Sequence, residues 1–246
     1  MGLGKFFARA LAARKQNLVL VARSKSKLDS LANELRASQG ILADPIEFDL
    51  AAPAAGQHLA RELAERELRI DLLVNNAGFG LRGEFRSLPL DPQLSMIKLH
   101  NVAVVELTFG LLPSMIAKGR GGIINVSSMA GFQPIPYAAL YSATKGFLTT
   151  FSMALREELR PFGVKVVTLC PGRLRADPEE EGEPGKRQKV PGREQGHEEV
   201  VEATLEKLDS GGGLLIPGFA NKLTFAAERL VPPNAIPKIV ARMSKP

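Results

Sequence analysis

The sequence has little cysteine and histidine, no tryptophan and no long hydrophobic run. Its 246 residues include one cysteine, Cys170, and three histidines, His58, His100 and His197. A single thiol cannot form an intramolecular disulfide, and histidines this far apart do not suggest a zinc site. The longest apolar runs, such as residues 17–22 and 122–126, are far short of the roughly 18 residues that a membrane-spanning helix needs. The sequence therefore argues against disulfide scaffolds, metal sites and membrane-spanning segments.

The composition is that of an ordinary globular domain. Hydrophobic residues make up 45% and charged residues 24%, with a mean hydropathy of -0.01. This length suits one large domain with a single core, and we expect residues 1–246 to form one domain of a cytoplasmic protein. The net charge of +6 is a mild excess that affects solubility more than partner choice, and we expect no nucleic-acid partner.

Helical and strand patterns alternate along the chain. A helical spacing of apolar residues around Phe6 to Leu11 precedes an apolar strand at 17–22, expected to be buried on both faces. The pattern continues with helices near 25–37, 52–67, 91–118, 139–160 and 198–208, and strands near 45–48, 70–75, 122–127, 164–170 and 214–216. Strands separated by helices need crossovers, so the sequence predicts a doubly wound parallel sheet in a three-layer αβα, Rossmann-like fold.

In such a sheet, ligands bind beyond the carboxyl ends of the strands, where a set of polar residues recurs. Tyr141 and Lys145 have the i,i+4 spacing of one helix face, so we expect the ammonium group to lower the pKa of the phenol. A phenol with a lowered pKa can act as general acid or base. Ser128 follows the strand at 122–127, and Asn75-Asn76-Ala77-Gly78 ends the strand before it.

Taken together, these motifs resemble the short-chain dehydrogenase/reductase family over nearly the whole chain. Asn101, Ser128, Tyr141 and Lys145 have the spacing of the family's catalytic tetrad. The resemblance implies that Tyr141 exchanges a proton with the substrate oxygen and that Ser128 hydrogen-bonds the same oxygen. It further implies that Lys145 holds the nicotinamide ribose and that Asn101 positions a proton-relaying water. Ser127 lacks the spacing to Tyr141 that Ser128 has.

The cofactor positions are interpreted in the same way. Gly2-Leu3-Gly4 before a helical pattern would bring backbone N–H groups to a pyrophosphate, and Arg23-Ser24 after the first strand favours NADP(H) over NAD(H). The resemblance adds the following residues to the predicted cofactor site: Asp49, Leu50, Asn75, Ala77, Gly78, Tyr141, Lys145, Pro171 and Gly172.

The chain departs from the family pattern at three places. The family's first strand and the first half of its glycine-rich loop are missing, so we expect a gap in the sheet between the strands ending at Ala22 and Asn75. We expect Met1 to be an internal start or the mark of a truncated product, although the acid-free start also resembles a transit peptide. Ala176 stands where the family has a threonine, within a charged 173–196 segment expected to be the substrate lid. Lys15 occupies a turn where glycine would be better suited.

Residues 219–246 form a basic tail with five basic residues and one acidic residue. Interleaved apolar residues would suit contact with anionic lipid, although packing on the domain or on a sister subunit explains them better. The sequence thus predicts an NADP(H)-dependent oxidoreductase interconverting an apolar ketone or aldehyde and an alcohol, as a homodimer or homotetramer paired through the long helices. Two alternatives are a catalytically impaired protein that senses nucleotide or binds a partner, and a nonfunctional fragment or peripheral membrane protein.

Overall fold

The alternation of elements agrees with the prediction to within a few residues. The computed structural model describes residues 2–175, 194–232 and 234–244. Its strands are β1 (Leu18–Ala22), β2 (Ala43–Glu47), β3 (Leu72–Asn75), β4 (Gly121–Val126), β5 (Val164–Leu169) and β6 (Gly213–Leu215). Its helices are α1 (Gly2–Ala13), α2 (Lys25–Gln39), α3 (Ala55–Glu65), α4 (Leu90–Ile97), α5 (Ala103–Ala117), α6 (Ala139–Leu159), α7 (His197–Asp209), α8 (Phe219–Glu228) and α9 (Ile236–Ser244).

The strands form two parallel sheets that share one core. β1 pairs with β2, and β3, β4, β5 and β6 pair in that order. Leu18 of β1 packs in the same apolar cluster as Val74 of β3, beneath α1 and α7. On the opposite face, Val21 and Leu73 share a second cluster with α3, α5 and the end of α6. The arrangement is a three-layer αβα fold, and the predicted gap lies between β1 and β3.

The gap explains one wrong expectation about burial. β1 was expected to be buried on both faces, but each of its residues is only half-buried. β3 has the same pattern up to Asn75, which is buried. A strand with an unpaired edge retains contact with water along that edge.

The predicted helix at 91–118 is divided by a π-helical turn. Lys98–Val102 forms this turn between α4 and α5. One extra residue in such a turn changes the direction of its side chains, and these turns often lie at functional sites. Asn101 lies within it.

By length and composition alone, the continuous helical stretch Leu90–Ala117 could cross a membrane, with a mean hydropathy of 1.4. The sequence analysis did not identify this apolar stretch, because polar residues interrupt its apolar runs. The apolar 18-residue segment within this stretch is 44% buried. Leu107, Leu111 and Met115 pack against the sheet. A core helix passes the same test, so the feature is weak evidence for a membrane span.

The two unusual segments of the sequence are only partly described. Most of the expected lid, residues 176–193 with Ala176, lies outside the described residues. The basic tail contains α8 and α9, and Lys245 is outside the described part. Lys15 adopts the left-handed conformation, with φ of 59°, in the turn between α1 and β1, as the sequence indicated.

Candidate active site

The predicted site residues meet at one edge of the fold. All the strand pairs are parallel, so the segments that follow them emerge on the same side. These segments contain Arg23 and Ser24 after β1, Asp49 and Leu50 after β2, Asn75 to Gly78 at the end of β3, Ser127 and Ser128 after β4, and Pro171 and Gly172 after β5.

The first turn of α1 lies against the loop after β3. Gly2, with φ of 46°, and Gly4 belong to the helix itself rather than to a loop before it. A Cβ atom at Gly4 would lie 2.8 Å from Nδ2 of Asn76. This close approach brings the first turn of α1, whose N-terminal N–H groups have no partner within the helix, next to the carboxyl edge. The arrangement fits a cofactor pyrophosphate held at a helix N-terminus.

Tyr141 lies in the first turn of α6, close enough to the Ser128 side chain for Ser128 to act on the pKa of its phenol. Burial raises the pKa of its phenol, and Ser128 offsets part of that rise. The expected net lowering of this pKa is therefore wrong for this structure, because loss of hydration disfavours the phenolate more strongly than the neighbouring groups favour it. Tyr141 is protonated at neutral pH and suited to donate a proton.

Lys145 is buried on the same face of α6, with 6% of its surface exposed. Its Nζ donates a hydrogen bond to the Val126 carbonyl oxygen at 2.8 Å and lies 5.9 Å from the centre of the Tyr141 ring. Burial lowers the pKa of this ammonium group to about 8. Lys145 is thus fixed at the end of β4 beside Tyr141.

The two serines after β4 have different environments. Ser127 is buried and its Oγ donates to the Lys145 carbonyl oxygen at 2.8 Å. Ser128 is half-buried, and its Oγ accepts a hydrogen bond from the Ala130 amide at 3.1 Å. Ser128 is the serine that acts on the Tyr141 pKa, as the sequence spacing predicted, while Ser127 anchors α6 to the sheet.

Asn101 is attached to α6. Its Nδ2 donates to the Thr144 carbonyl oxygen at 3.0 Å, and the side chain is 8% exposed. Thr144 directly precedes Lys145. The structure thus brings Asn101 to the helix that carries Tyr141 and Lys145.

The side chains predicted to select the cofactor have mixed environments. Arg23 is exposed and Ser24 is the N-cap residue of α2. Asp49 Oδ1 accepts a hydrogen bond from the Ala51 amide at 2.9 Å, and Leu50 packs against the core. Arg23 therefore has the freedom to meet a phosphate, whereas Leu50 offers only its backbone.

Asn75 points into the fold rather than toward a ligand. Its Nδ2 donates to Asn125 Oδ1 at 2.8 Å, and Asn125 donates in turn to Ser152. These buried amides join β3, β4 and α6. Asn75 therefore shapes the cofactor-side loop, and the exposed Ala77 and Gly78 form its outer surface.

Two residues beside Gly172 were missed by the sequence reading. The Gly172 amide donates to Gln195 Oε1 at 3.2 Å, and Asn221 Nδ2 donates to the same oxygen at 3.0 Å. A Cβ at Gly172 would overlap with the Asn221 amide. These residues fix the backbone after Pro171, and no spacing in the sequence indicates that they meet.

The sequence reading also missed His100, which it treated only as an isolated histidine. The imidazole is 1% exposed and lies between the loop after β3 and α6. Burial, assisted by the charge of Lys145, lowers its pKa to about 3. Its position immediately before Asn101 is the one sequence signal that pointed toward the site.

Apolar side chains lie around the start of α6 and in the loops before it. A small cavity of about 40 Å³ is lined by residues that include Leu81, Phe85 and Tyr137. Phe132 contacts Phe225 of α8 with ring centres 4.4 Å apart. Phe79 packs edge-on against His100, and Ile135 is half-buried. The cavity at the start of α6 is thus lined largely by apolar side chains.

Comparison with known protein families places this geometry in context. The family described as short chain dehydrogenase matches residues 1–186. The ketoacyl reductase HetN of Nostoc sp. is 37% identical over 171 residues, covering 70% of this chain and 59% of that protein. A very-long-chain 3-oxoacyl-CoA reductase of Phaeosphaeria nodorum is 34% identical, covering 86% of this chain and 62% of that protein. The chain thus spans about three fifths of the length of these relatives.

Solved structures show the same fold. A short-chain dehydrogenase from Sphingobium yanoikuyae in complex with NADPH superposes with a TM-score of 0.80 at 32% identity, covering 93% of this chain and 91% of that one. A structure of a 7β-hydroxysteroid dehydrogenase gives a TM-score of 0.84 at 26% identity, covering 98% and 92%.

Proposed function

The chain belongs to the short-chain dehydrogenase family, and from that premise we propose that it is an NADP(H)-dependent reductase of ketones or aldehydes. The observation that carries the proposal is the half-buried Tyr141, with a raised pKa, between Ser128 and Lys145 at the carboxyl edge of the sheet. The same groups serve the reverse reaction, the oxidation of an alcohol.

The residues at this edge fit a nicotinamide dinucleotide. The N-terminal turn of α1, with Gly4 against Asn76, would hold the pyrophosphate. Arg23 would meet the 2′-phosphate of the adenosine ribose, which is the basis for preferring NADP(H). Lys145 would hold the nicotinamide ribose, and the backbone around Gly172 would lie beside the nicotinamide. When bound, NADPH supplies the hydride that reduces the carbonyl carbon.

The chain's own residues handle the proton. Tyr141 Oη donates its proton to the carbonyl oxygen, and Ser128 Oγ donates a hydrogen bond to the same oxygen. The Lys145 ammonium group stabilises the phenolate that Tyr141 leaves behind. Asn101 positions the water through which Tyr141 regains its proton.

For the substrate class, we propose 3-oxoacyl thioesters or similarly apolar ketones. Two relatives are named for reduction of ketoacyl groups, HetN and the very-long-chain 3-oxoacyl-CoA reductase. Leu81 and Phe85 line the cavity at the start of α6, and Phe79 packs against His100, whose ring meets that of Tyr141. Such apolar side chains suit a substrate with a hydrocarbon portion.

A titration followed by a steady-state assay tests the proposal. NADPH binding is measured by fluorescence against NADH, and a panel of 3-oxoacyl thioesters and bulky ketones is then assayed by NADPH consumption. We expect tighter binding of NADPH than NADH, and Arg23→Ala is expected to remove that preference. Cofactor binding without turnover of any carbonyl would favour the alternative of a catalytically impaired nucleotide sensor.

A second candidate property is contact with anionic lipid through the basic tail. The outward side of α8 exposes Phe219 by 81% and Leu223 by 62%, next to Lys222, while its inward side holds Asn221 and Phe225. Apolar and basic side chains on one face suit an anionic lipid surface.

Flotation with vesicles tests this contact. We expect salt-sensitive flotation with anionic vesicles and weaker flotation with neutral ones. The double variant Phe219→Asp/Leu223→Asp is expected to stay at the bottom of the gradient. Absence of flotation with anionic vesicles at low salt would contradict the proposal.

A further inference from the structure

We infer that His100 is a positioning residue that couples the cofactor-side loop after β3 to the catalytic helix α6. The inference rests on the proposed reductase function. It concerns a neutral imidazole that makes two directional hydrogen bonds, one to each of these elements.

The first bond holds the loop. The Phe79 amide donates to His100 Nε2 at 3.1 Å. A Cβ at Gly78 would lie 2.7 Å from the same nitrogen, so the loop backbone packs directly on the ring. Ala77 and Gly78, which are predicted to contact the cofactor, thus depend on His100 for their position.

The second bond holds the catalytic helix. His100 Nδ1 lies 3.0 Å from Thr144 Oγ1, and Thr144 Oγ1 donates to the Tyr141 carbonyl oxygen at 2.9 Å. The imidazole also meets the Tyr141 ring edge-on, with ring centres 6.1 Å apart. His100 therefore contacts Tyr141 both through its ring and through Thr144.

The two bonds determine the tautomer of the ring. Because Nε2 accepts from an amide, the proton must lie on Nδ1, where it is donated to Thr144 Oγ1. A second proton on Nε2 would point at the Phe79 N–H and break the loop bond. The low pKa of the buried ring is consistent with this neutral form.

Asn101 adds an independent attachment at the same point. The π-helical turn places His100 and Asn101 side by side, and they bond the side chain and the carbonyl oxygen of Thr144 respectively. Of these two residues, His100 is the one that also forms a hydrogen bond with the loop after β3. It is thus the link between the cofactor side and the proton-donating side of the site.

Two amide substitutions separate the two bonds. In His100→Gln the side-chain amide reaches the Nε2 position and can still accept from Phe79, whereas in His100→Asn it reaches the Nδ1 position and can still donate to Thr144. Loss of one buried hydrogen bond corresponds to about a tenfold effect. We expect His100→Asn to raise the NADPH dissociation constant about tenfold with little change in kcat. His100→Gln is expected to lower kcat about tenfold with little change in NADPH affinity.

His100→Phe and Thr144→Val serve as matched controls. His100→Phe keeps a ring without either bond and is expected to show both losses. Thr144→Val removes only the hydroxyl and is expected to reproduce His100→Gln. NADPH affinity is measured by fluorescence titration of each variant, and thermal melting reports its stability.

The outcomes distinguish this role from the proposed function. If His100→Phe stays within about twofold of the wild type in both parameters, the positioning role is wrong. It is also wrong if both amide variants lose affinity and kcat together, in proportion to their melting temperatures. A wild-type chain that neither binds NADPH nor reduces a ketone would instead overturn the proposed function and this role with it. If the wild type binds NADPH but reduces no ketone, the NADPH affinities of His100→Asn and His100→Gln test the positioning role. Weaker binding by His100→Asn alone supports it, and equal affinities contradict it.

Discussion

Burial acts in opposite directions on the two central titratable side chains. Burial raises the pKa of Tyr141, so the phenol keeps the proton that it donates. It lowers the pKa of Lys145 to about 8, so the ammonium group loses its charge at a pH close to neutral. We therefore expect kcat/KM for ketone reduction to fall above pH 8 as Lys145 loses its proton. A pH–rate profile measures this.

Lys145→Arg is the matched variant for that profile, because a guanidinium group keeps its charge. Its residual activity is expected to stay level through pH 8–9. An alkaline fall centred above pH 10 in the wild type would instead assign the decline to Tyr141 and contradict the expectation.

His100 makes the fold sensitive to acid. Its pKa is about 3 in the folded chain against 6.5 as an ordinary value, so the unfolded chain binds more protons between these limits. Its contribution to stability is complete above pH 6.5 and declines as the pH falls toward 3. Between pH 7 and pH 5 the wild type should lose about 2 kcal/mol more free energy of unfolding than His100→Phe. Urea denaturation at both pH values measures the difference, and equal losses would refute it.

The candidate site residues could be predicted from the sequence, but their surroundings could not. The i,i+4 spacing of a helix indicated Tyr141 and Lys145, and the end of a strand indicated Ser128, whereas Asn101 was predicted from the family resemblance. The direction of the Tyr141 pKa shift was missed because it depends on burial by distant parts of the chain. His100, Gln195 and Asn221 were missed for the same reason, since the site residues that they contact are separated from them by 21 to 49 residues along the chain.

The pairing of strands gives a further test. β1 and β3 share side-chain clusters but not backbone hydrogen bonds, and α1 begins at the carboxyl edge beside Asn76. An extended segment leading into α1 can therefore run parallel between them. A five-residue apolar strand and turn joined ahead of Gly2 should raise the free energy of unfolding, since each buried aliphatic side chain contributes roughly 1.5 to 3 kcal/mol.

The control for this extension is a serine-rich segment of equal length. Urea denaturation should show a higher midpoint only for the apolar segment, together with tighter NADPH binding. Equal midpoints would show that the β1 and β3 edges do not accept a strand. The gap could be predicted because the strands on both sides of it were recognised in the sequence. The half-burial of β1 was not predicted, because it depends on the unpaired edge seen in the structure.

The helices on one face of the sheet suit self-association. α5 exposes Phe109 by 80%, and α6 exposes Phe147 by 45% and Met153 by 44%. Such apolar side chains on neighbouring helices are typical of a homodimer interface. We expect the wild type to be a dimer or tetramer and Phe109→Asp/Phe147→Glu to dissociate it, as measured by light scattering after gel filtration.

Phe219→Asp, an equally exposed change on α8, is the control and should leave the oligomer intact. A monomeric wild type would rule out this interface. Composition and length predicted a single domain. No pattern within the sequence, however, specifies which partner covers an exposed face of that domain.

The central claim is that this carboxyl edge reduces a carbonyl group through Tyr141. The most direct test compares NADPH consumption by the wild type and Tyr141→Phe on a 3-oxoacyl thioester, with NADPH binding measured on both. Removing a general acid lowers a rate by about 10²- to 10⁴-fold, so Tyr141→Phe should bind NADPH normally and lose most turnover. Equal turnover by the two proteins would contradict the account.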